Sequence, residues 1–398
     1  MTDLSATASV TDRLSGTAEA AGPATDPIVQ FLDRHQPETP CLVVDLAVVR
    51  ERYRQLRSAL PDGRICYAVK ANPTPEVVGE LVALGASFDV ASPGEIDLCL
   101  ALGAAPEDIS YGNTIKKRRD VARAHAQGVR MFATDSEPDL RVLAEEAPGA
   151  RVFCRVLVDN TGSRTPFGKK FGCSPERAAA LLRLAGELGL DPWGVSFHSG
   201  SQQLDPAAWE HGIAAARRVF DAEPGLRMVN LGGGLPAAYT DQAPPLADYA
   251  RRIEESLTRH FGDRRPELLV EPGRHLVGDA GVLRSEVVLV SESDEHRWVY
   301  LDIGRYNGLA ETEGEAITYR LRTDRDGDPT GPVVLAGPTC DGDDVLYQRT
   351  RYELPVTLRG GDRVDLLSAG AYTASYSSVS FNGFAPLPTY CVDGDERR

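Results

Sequence analysis

The 398-residue chain reads as an α/β protein, a closed (β/α)8 barrel followed by a second, all-β C-terminal domain. Two patterns predict this. Eight short apolar runs alternate with amphipathic helical stretches over about 230 residues, a count and spacing that suit a closed parallel barrel better than an open sheet. From Gly281 onward the helical period stops, and apolar runs punctuated by Gly, Asp and Pro take over. A third pattern agrees with the first: barrel strands carry chemistry at their C-terminal ends, and here polar side chains gather where the apolar runs finish.

Taken in order, residues 1–27 are rich in Ala, Thr, Ser and Gly without apolar periodicity and are expected to be a disordered tail. Residues 28–45 end in CLVVD, a run expected to add a strand to the C-terminal sheet from the N-terminal side. The β domain is then discontinuous, 28–45 plus 281–398, and the barrel occupies 46–280. Barrel strands are expected over Ile65–Ala71, Phe88–Ser92, Ile109–Asn113, Met131–Asp135, Val152–Val158, Trp193–Ser199, Met228–Leu231 and Leu268–Glu271. Helical patterns such as PEVVGELVALG and ADYARRIEESLTRHFG separate them, giving the layout of a TIM barrel. At or just after the strand ends stand Lys70, Ser92 with Glu95, Asn113, Asp135, Arg155, His198, the glycines 232–234, and Glu271 with Arg274. The β region follows in runs such as SEVVLVS, WVYLDIG, ITYRLR, PVVLAG, YELPVTL and RVDLLSAG.

Composition narrows the function classes. With 42% hydrophobic residues the chain can bury a large core, and its net charge of -15 lacks the clustered Lys and Arg of a nucleic-acid surface. No apolar run approaches the roughly 18 residues of a membrane span, and the N-terminus lacks the layout of a secretion signal, so a cytoplasmic location is expected. The seven cysteines are scattered, odd in number and never form a CxxC pair, which argues against zinc, any other metal centre and a disulfide framework. Most lie in apolar strings such as VFCRV and read as small core residues. Cys340, among the aspartates of GPTCDGDD, does not, and is expected near solvent or a ligand.

Four segments bear chemistry. ICYAVKAN sets Lys70 at the end of an apolar strand, where burial is expected to lower the pKa of its amine enough to make a nucleophile for a carbonyl, pyridoxal phosphate being the obvious one. A strand-end lysine reaching solvent would look the same in isolation. In NLGGGLP three glycines let backbone N–H groups approach an anion such as a phosphate, although a flexible turn reads alike. SFHSGSQ places His198 before a small-residue loop, fit to stack on a flat ring while Gly200 and Ser201 help hold a phosphate. In LLVEPGRHL a Pro-Gly turn separates Glu271 from Arg274. A buried carboxylate facing a pyridine nitrogen keeps it protonated and makes the ring an electron sink, whereas a plain Glu/Arg ion pair is the bland alternative.

In order, AVKAN, FDVAS, HSGS, GGG, EPGR, GPTCD, GAYT and FNGF resemble the fold-type III pyridoxal-phosphate decarboxylases, the ornithine/lysine/diaminopimelate family, from about Thr39 to Cys391. CDGDD and FNGF are similar to the ornithine/lysine branch, and LDIGRYNGLAETEGEAITY to its bacterial lysine/ornithine decarboxylases. The resemblance implies that Lys70 bonds the cofactor, His198 stacks on its ring and Glu271 meets the ring nitrogen. Ser201, Gly233, Gly234, Arg274 and Tyr372 would hold the phosphate, with Asp89 and Arg155 buttressing the lysine side. It further implies a homodimer in which a neighbouring subunit inserts Cys340, as proton donor, and Asp341, against the substrate's distal amine, with Tyr372 and Phe381 at the substrate. Asp343, Asp344, Glu311 and Glu315 would extend that negative wall.

The implied reaction is decarboxylation of ornithine and/or lysine to a diamine, in polyamine biosynthesis. Two alternatives stand beside it: a decarboxylase of a modified or carrier-tethered amino acid, and a non-catalytic regulatory homologue, against which the presence of both Lys70 and Cys340 argues. In NTGSRTPFGKKFG, Asn160–Gly172, only the final KFG keeps the family pattern; TPFG stands where a Pro-Leu-Ser type sequence is expected, which leaves the substrate side-chain pocket open.

Overall fold

The computed structural model describes residues 25–166 and 168–394. From the N-terminus run β1 (Cys41–Asp45), β2 (Gly63–Ala68), β3 (Ser87–Val90), β4 (Ile109–Tyr111), β5 (Met131–Thr134), β6 (Arg151–Arg155) and the short β7 (Ser163–Thr165). They are followed by β8 (Asp191–Ser196), the short β9 (Ser201–Gln203), β10 (Met228–Asn230) and β11 (Glu267–Val270). Eight of these close a parallel barrel in the order β10-β11-β2-β3-β4-β5-β6-β8, and β7 pairs with β9 as a small separate ribbon that the sequence pattern did not announce. The expected tail is too long by its last residues, because a helix begins at Asp26 and packs Ile28 and Leu32 against Cys41, Val43, Val282 and Leu367. Residues 1–24 of that tail lie outside the described residues.

Period-two alternation decides which barrel side chains face in. Cys66, Met131, Ala133, Phe153, Trp193, Met228 and Leu269 form a cluster of their own that fills the barrel, while their strand neighbours Tyr67, Phe132, Cys154 and Val229 join the larger core under the helices. The N-terminal end is closed by Trp193, whose ring lies between the guanidiniums of Arg151 (4.1 Å) and Arg227 (3.9 Å). Chemistry is thereby left to the other end.

All eight expected strands are present, but each ends sooner than its apolar run suggests. Lys70, Ser92, Asn113, Asp135, His198 and Glu271 each lie beyond the last paired residue. The C-terminal sheet contains β12 (Gly281–Glu292), β13 (Arg297–Leu301), β14 (Arg320–Thr323), β15 (Thr330–Ala336), β16 (Val345–Pro355), β17 (Arg363–Leu367) and β18 (Thr389–Val392). Its order is β14-β17-β12-β13-β15-β16, and β1 is inserted between β12 and β18, with Cys41 opposite Arg284 and Leu42 opposite Thr389. CLVVD thus joins the C-terminal sheet.

Candidate active site

Lys70 rides on a turn of 3-10 helix, Val69–Ala71, just past the end of β2, and faces a cavity of about 590 Å³ at the C-terminal end of the barrel. The turn is held from the β domain. Tyr372 N–H donates to the Ala71 carbonyl (2.8 Å), Ser375 Oγ to the Lys70 carbonyl (2.8 Å), and Asn72 Nδ2 to the Gly370 carbonyl (2.9 Å). AVKAN and GAYT, far apart in sequence, therefore bind each other, and Tyr372 accepts a left-handed φ of 59° to make the contact.

Lys70 Nζ lies 2.9 Å from Asp89 Oδ2, because β3 pairs with β2 so that Asp89 stands opposite Ala68. Burial pulls the amine's pKa down, but the carboxylate of Asp89, helped by Tyr372 and Glu271, carries it above the usual lysine value. The expected lowering of this amine is thus wrong for the protein alone: the ion pair outweighs burial. Although set deep in the fold, the Lys70 side chain opens onto the cavity and is 47% exposed.

Gly112, after β4, makes room for that pair. A Cβ there would stand 2.0 Å from Asp89 Oδ1, although the backbone of Gly112 has no left-handed φ that would itself demand glycine. Gly112→Ala is therefore expected to cost about 1–3 kcal/mol by overpacking and to dislodge Asp89 from Lys70. A lower melting temperature together with weaker cofactor retention would bear this out; no change in either would refute it.

His198 follows β8, and its Nδ1 accepts the Gly200 N–H (3.0 Å), which leaves the proton of the neutral ring on Nε2. Burial, with the cations Arg155 and Lys70 nearby, holds its pKa well below the usual histidine value, so the ring is uncharged. Arg155 closes β6 with its guanidinium over the Phe171 ring at 5.1 Å, and its charge acts on both His198 and Glu271.

Glu271 follows β11, and the alternative of a turn pair with Arg274 is not realised: its Oε1 accepts from Asn230 Nδ2 at 2.5 Å. Burial foremost, then Asp89, pushes its carboxyl up to about 7 against the opposing pull of Lys70, the Asn230 bond and Arg155. The glycine loop is no flexible turn. A Cβ on Gly232 would lie 2.1 Å from the Phe197 carbonyl, on Gly233 2.6 Å from the Glu271 carbonyl and 3.2 Å from His198 Nε2, and on Gly234 2.5 Å from the Gly200 carbonyl. Each glycine is there for close approach.

Arg274 is 3% exposed. Its Nη1 donates to Tyr239 Oη (2.8 Å) and Glu311 Oε2 (2.8 Å), its Nη2 to Ser201 Oγ (3.2 Å) and Glu311 Oε1 (2.5 Å), and the Tyr372 ring lies 4.9 Å from the guanidinium. Among the described residues its Nε is buried without a partner. Glu311 comes from a 3-10 segment of the β domain, Ala310–Glu315, that roofs the cavity. Glu315 does not face the cavity, since its carboxylate accepts the Gln348, Arg349 and Thr350 N–H groups. Sequence reading missed Tyr239, Asn230 and Gly112; only the strand-end position of Asn230 and Gly112 hinted at them.

The remaining strand-end polar groups are structural. Ser92 caps the following helix by accepting the Glu95 N–H, Glu95 Oε2 accepts the Ala91 N–H (2.6 Å), and Asp135 accepts the Gly172 N–H (2.8 Å). Thr165 and Pro166, within the segment that departs from the family pattern, do line the cavity. Cys340, Asp341 and Phe381 do not. Cys340 is exposed, its N–H and thiol both directed at Asn382 Oδ1 (3.2 and 3.5 Å), and the Phe381 ring packs on Tyr306 at 4.6 Å. Asp344 cannot belong to a negative wall: it is buried and binds the Arg305 and Thr339 N–H groups.

The cavity suits pyridoxal phosphate. An amine faces it, a neutral imidazole and a buried carboxyl sit beside the barrel mouth, and the glycine loop approaches too closely for any Cβ while Arg274 keeps one buried N–H unbonded among the described residues. Comparison with known proteins agrees. A family model described as pyridoxal-dependent decarboxylase, pyridoxal binding domain, matches residues 46–278. The lysine/ornithine decarboxylase of Selenomonas ruminantium is 37% identical over 356 residues, 88% of this chain and 89% of that protein. The structure of the Vibrio vulnificus lysine/ornithine decarboxylase complexed with cadaverine aligns with a TM-score of 0.83 at 32% identity, covering 92% of this chain and 98% of that one. Antizyme inhibitor 2 of Xenopus laevis is 32% identical over 383 residues, 91% of this chain and 83% of that protein. With the barrel, the adjoining sheet and the lysine-bearing cavity all matching this kinship, the chain belongs to the pyridoxal-dependent decarboxylases.

Proposed function

We propose that this protein decarboxylates ornithine and lysine to the corresponding diamines. The observation that carries the reading is Lys70, aimed into a cavity beside Glu271, His198 and Arg274 and paired with Asp89. Bound pyridoxal phosphate would accept the electron pair left on Cα when CO2 departs. Lys70 would bond the cofactor and yield to the substrate amine, with Asp89 and Arg155 holding charge on that side. His198, uncharged, would lie against the ring, and Glu271 would hold the proton of the ring nitrogen. Ser201, Gly233, Gly234, Tyr372 and the free Nε of Arg274 would hold the phosphate, with Glu311 already answering part of the arginine's charge.

We take 46–280 as the cofactor-binding unit and 28–45 plus 281–398 as the β domain. A cytoplasmic homodimer in polyamine biosynthesis completes the reading, each thiol loop bringing Cys340 and Asp341, with Phe381, to the neighbour's cavity. The presence of Lys70 and Cys340 speaks against a regulator of the antizyme-inhibitor kind. Thr165 and Pro166 in the cavity wall favour a modified substrate as the second reading. Release of CO2 from ornithine, lysine, arginine, diaminopimelate and hydroxylated analogues by the purified protein decides between them: ornithine and lysine should turn over fastest, and a faster hydroxylated analogue would move the assignment to a specialised pathway.

Asp341 supplies a sharper test. A carboxylate meeting a distal ammonium in a partly desolvated site contributes roughly 1.5 to 3 kcal/mol, or about ten- to a hundredfold. Asp341→Asn should raise KM for ornithine or lysine at least tenfold, within that range, and leave cofactor absorbance unchanged. An unchanged KM for every diamino acid would remove Asp341 from substrate recognition.

A further inference from the structure

Asn230 ends β10, is fully buried, and has no part in the chemistry above. Its side chain joins two parts of the site. Oδ1 accepts the Gly232 N–H (2.9 Å) and Nδ2 donates to Glu271 Oε1 (2.5 Å). A backbone N–H can only donate, so the Gly232 amide fixes which end of the Asn230 side chain it meets, and the NH2 end is thereby turned to Glu271. Glu271 Oε1 then accepts, and a hydrogen bond given to a carboxylate oxygen favours the charged form. Backbone bonds brace the same junction: Phe197 N–H donates to the Asn230 carbonyl (3.1 Å) and Glu271 N–H to the Gly232 carbonyl (2.8 Å).

We propose that Asn230 is a positioning residue that holds Glu271 as an ionised acceptor and ties it to the glycine loop beside it. The inference rests on the role proposed for Glu271 at the ring nitrogen. The bond is needed because the surroundings of Glu271 are divided. Burial and Asp89, from β3, favour its protonated form; Lys70, after β2, and Arg155, on β6, favour the charged form, as does the Asn230 bond. His198, after β8, is uncharged, and Arg274 is engaged by Glu311. Even with the Asn230 bond in place burial pushes the Glu271 carboxyl up to about 7, near the balance point, so loss of that bond would tip it toward the protonated form.

Asn230→Asp tests this with almost no change of shape. The new carboxylate can still accept the Gly232 N–H, but its second oxygen would face Glu271 Oε1 where the NH2 group now stands, and two carboxyls so placed share one proton. The protonation of Glu271 is read in the full-length protein without cofactor by infrared difference spectroscopy of the carboxyl stretch against pH, with Glu271→Gln as the blank. Its midpoint should rise by at least about one unit in Asn230→Asp, tenfold in the equilibrium. In the loaded enzyme the acid limb of kcat/KM should move to higher pH by a similar amount, because activity needs the ionised carboxylate, and rate should be recovered on raising the pH.

An unchanged Glu271 midpoint overturns the proposal, whatever happens to activity. A shifted midpoint with an unmoved pH profile upholds the Asn230 bond and overturns the role given to Glu271. Should Asn230→Asp not fold, the parent protein still decides: the Asn230 side-chain NH2 resonance should shift with pH at the Glu271 midpoint, and a resonance indifferent to pH overturns the coupling.

Discussion

Lys70→Ala should yield a folded protein that retains no covalently bound cofactor and turns over at least about a thousandfold more slowly, the scale on which one positioned acid-base group acts before the lost covalent step is counted. Folding should survive because the β domain grips this turn through the carbonyls of Lys70 and Ala71, not through the lysine side chain. The cost lies in Asp89, left buried without its cation; since Lys70 is half exposed to the cavity, solvent screening limits that cost to about 1 kcal/mol. The chain makes the covalent assignment unusually clean, for it has only five lysines, Lys70, Lys116, Lys117, Lys169 and Lys170. Lys116 is consumed by Asp139 (2.9 Å) and the carbonyls of Ala133 and Asn113, while Lys117, Lys169 and Lys170 are exposed. Borohydride reduction followed by peptide mapping should label the Lys70 peptide, and a label on any of the other four would refute the assignment.

The strands, the lysine and the glycine loop are legible in the sequence because each is local: an apolar run, its period and the turn that follows can be read from consecutive residues. What the sequence hides is non-local. The amine of Lys70 is raised where burial alone would lower it, and that reversal depends on the β2–β3 register that sets Asp89 opposite Ala68. Arg274 and Glu271, three residues apart, look like an ion pair across their turn. The fold sends Arg274 to Glu311 of the β domain and Glu271 to Asn230 of β10. The end of β2 is misjudged because Val69 continues the apolar pattern after pairing has ceased, in the 3-10 turn that carries Lys70 to the cavity. The acids of the thiol loop show the converse error, because Asp344 reads as part of a negative wall at the substrate and is a buried clamp on the Arg305 and Thr339 amides.

Mixing inactive Lys70→Ala with inactive Cys340→Ala should restore about a quarter of the parental activity, because in the proposed homodimer with shared sites random exchange would make half the dimers mixed and leave each mixed dimer one intact site of two. The expectation rests on geometry. Cys340 does not line the cavity of its own chain, and its exposed thiol points at Asn382 on the outer surface of the β domain. Around it the surface is apolar where a lone monomer would be polar: Tyr376, Val379 and Phe381 are 57%, 78% and 36% exposed. A second copy covering this patch would bury the aromatics and bring the thiol to a foreign Lys70, where it could return a proton to Cα. Cys340→Ala alone should lower turnover by about a hundredfold or more while leaving cofactor binding intact, since a proton donor acts after the cofactor is in place. Mixed dimers verified by differently tagged chains yet wholly inactive would show that each site is built within one chain. A Cys340→Ala variant with normal turnover would show that the proton comes from elsewhere.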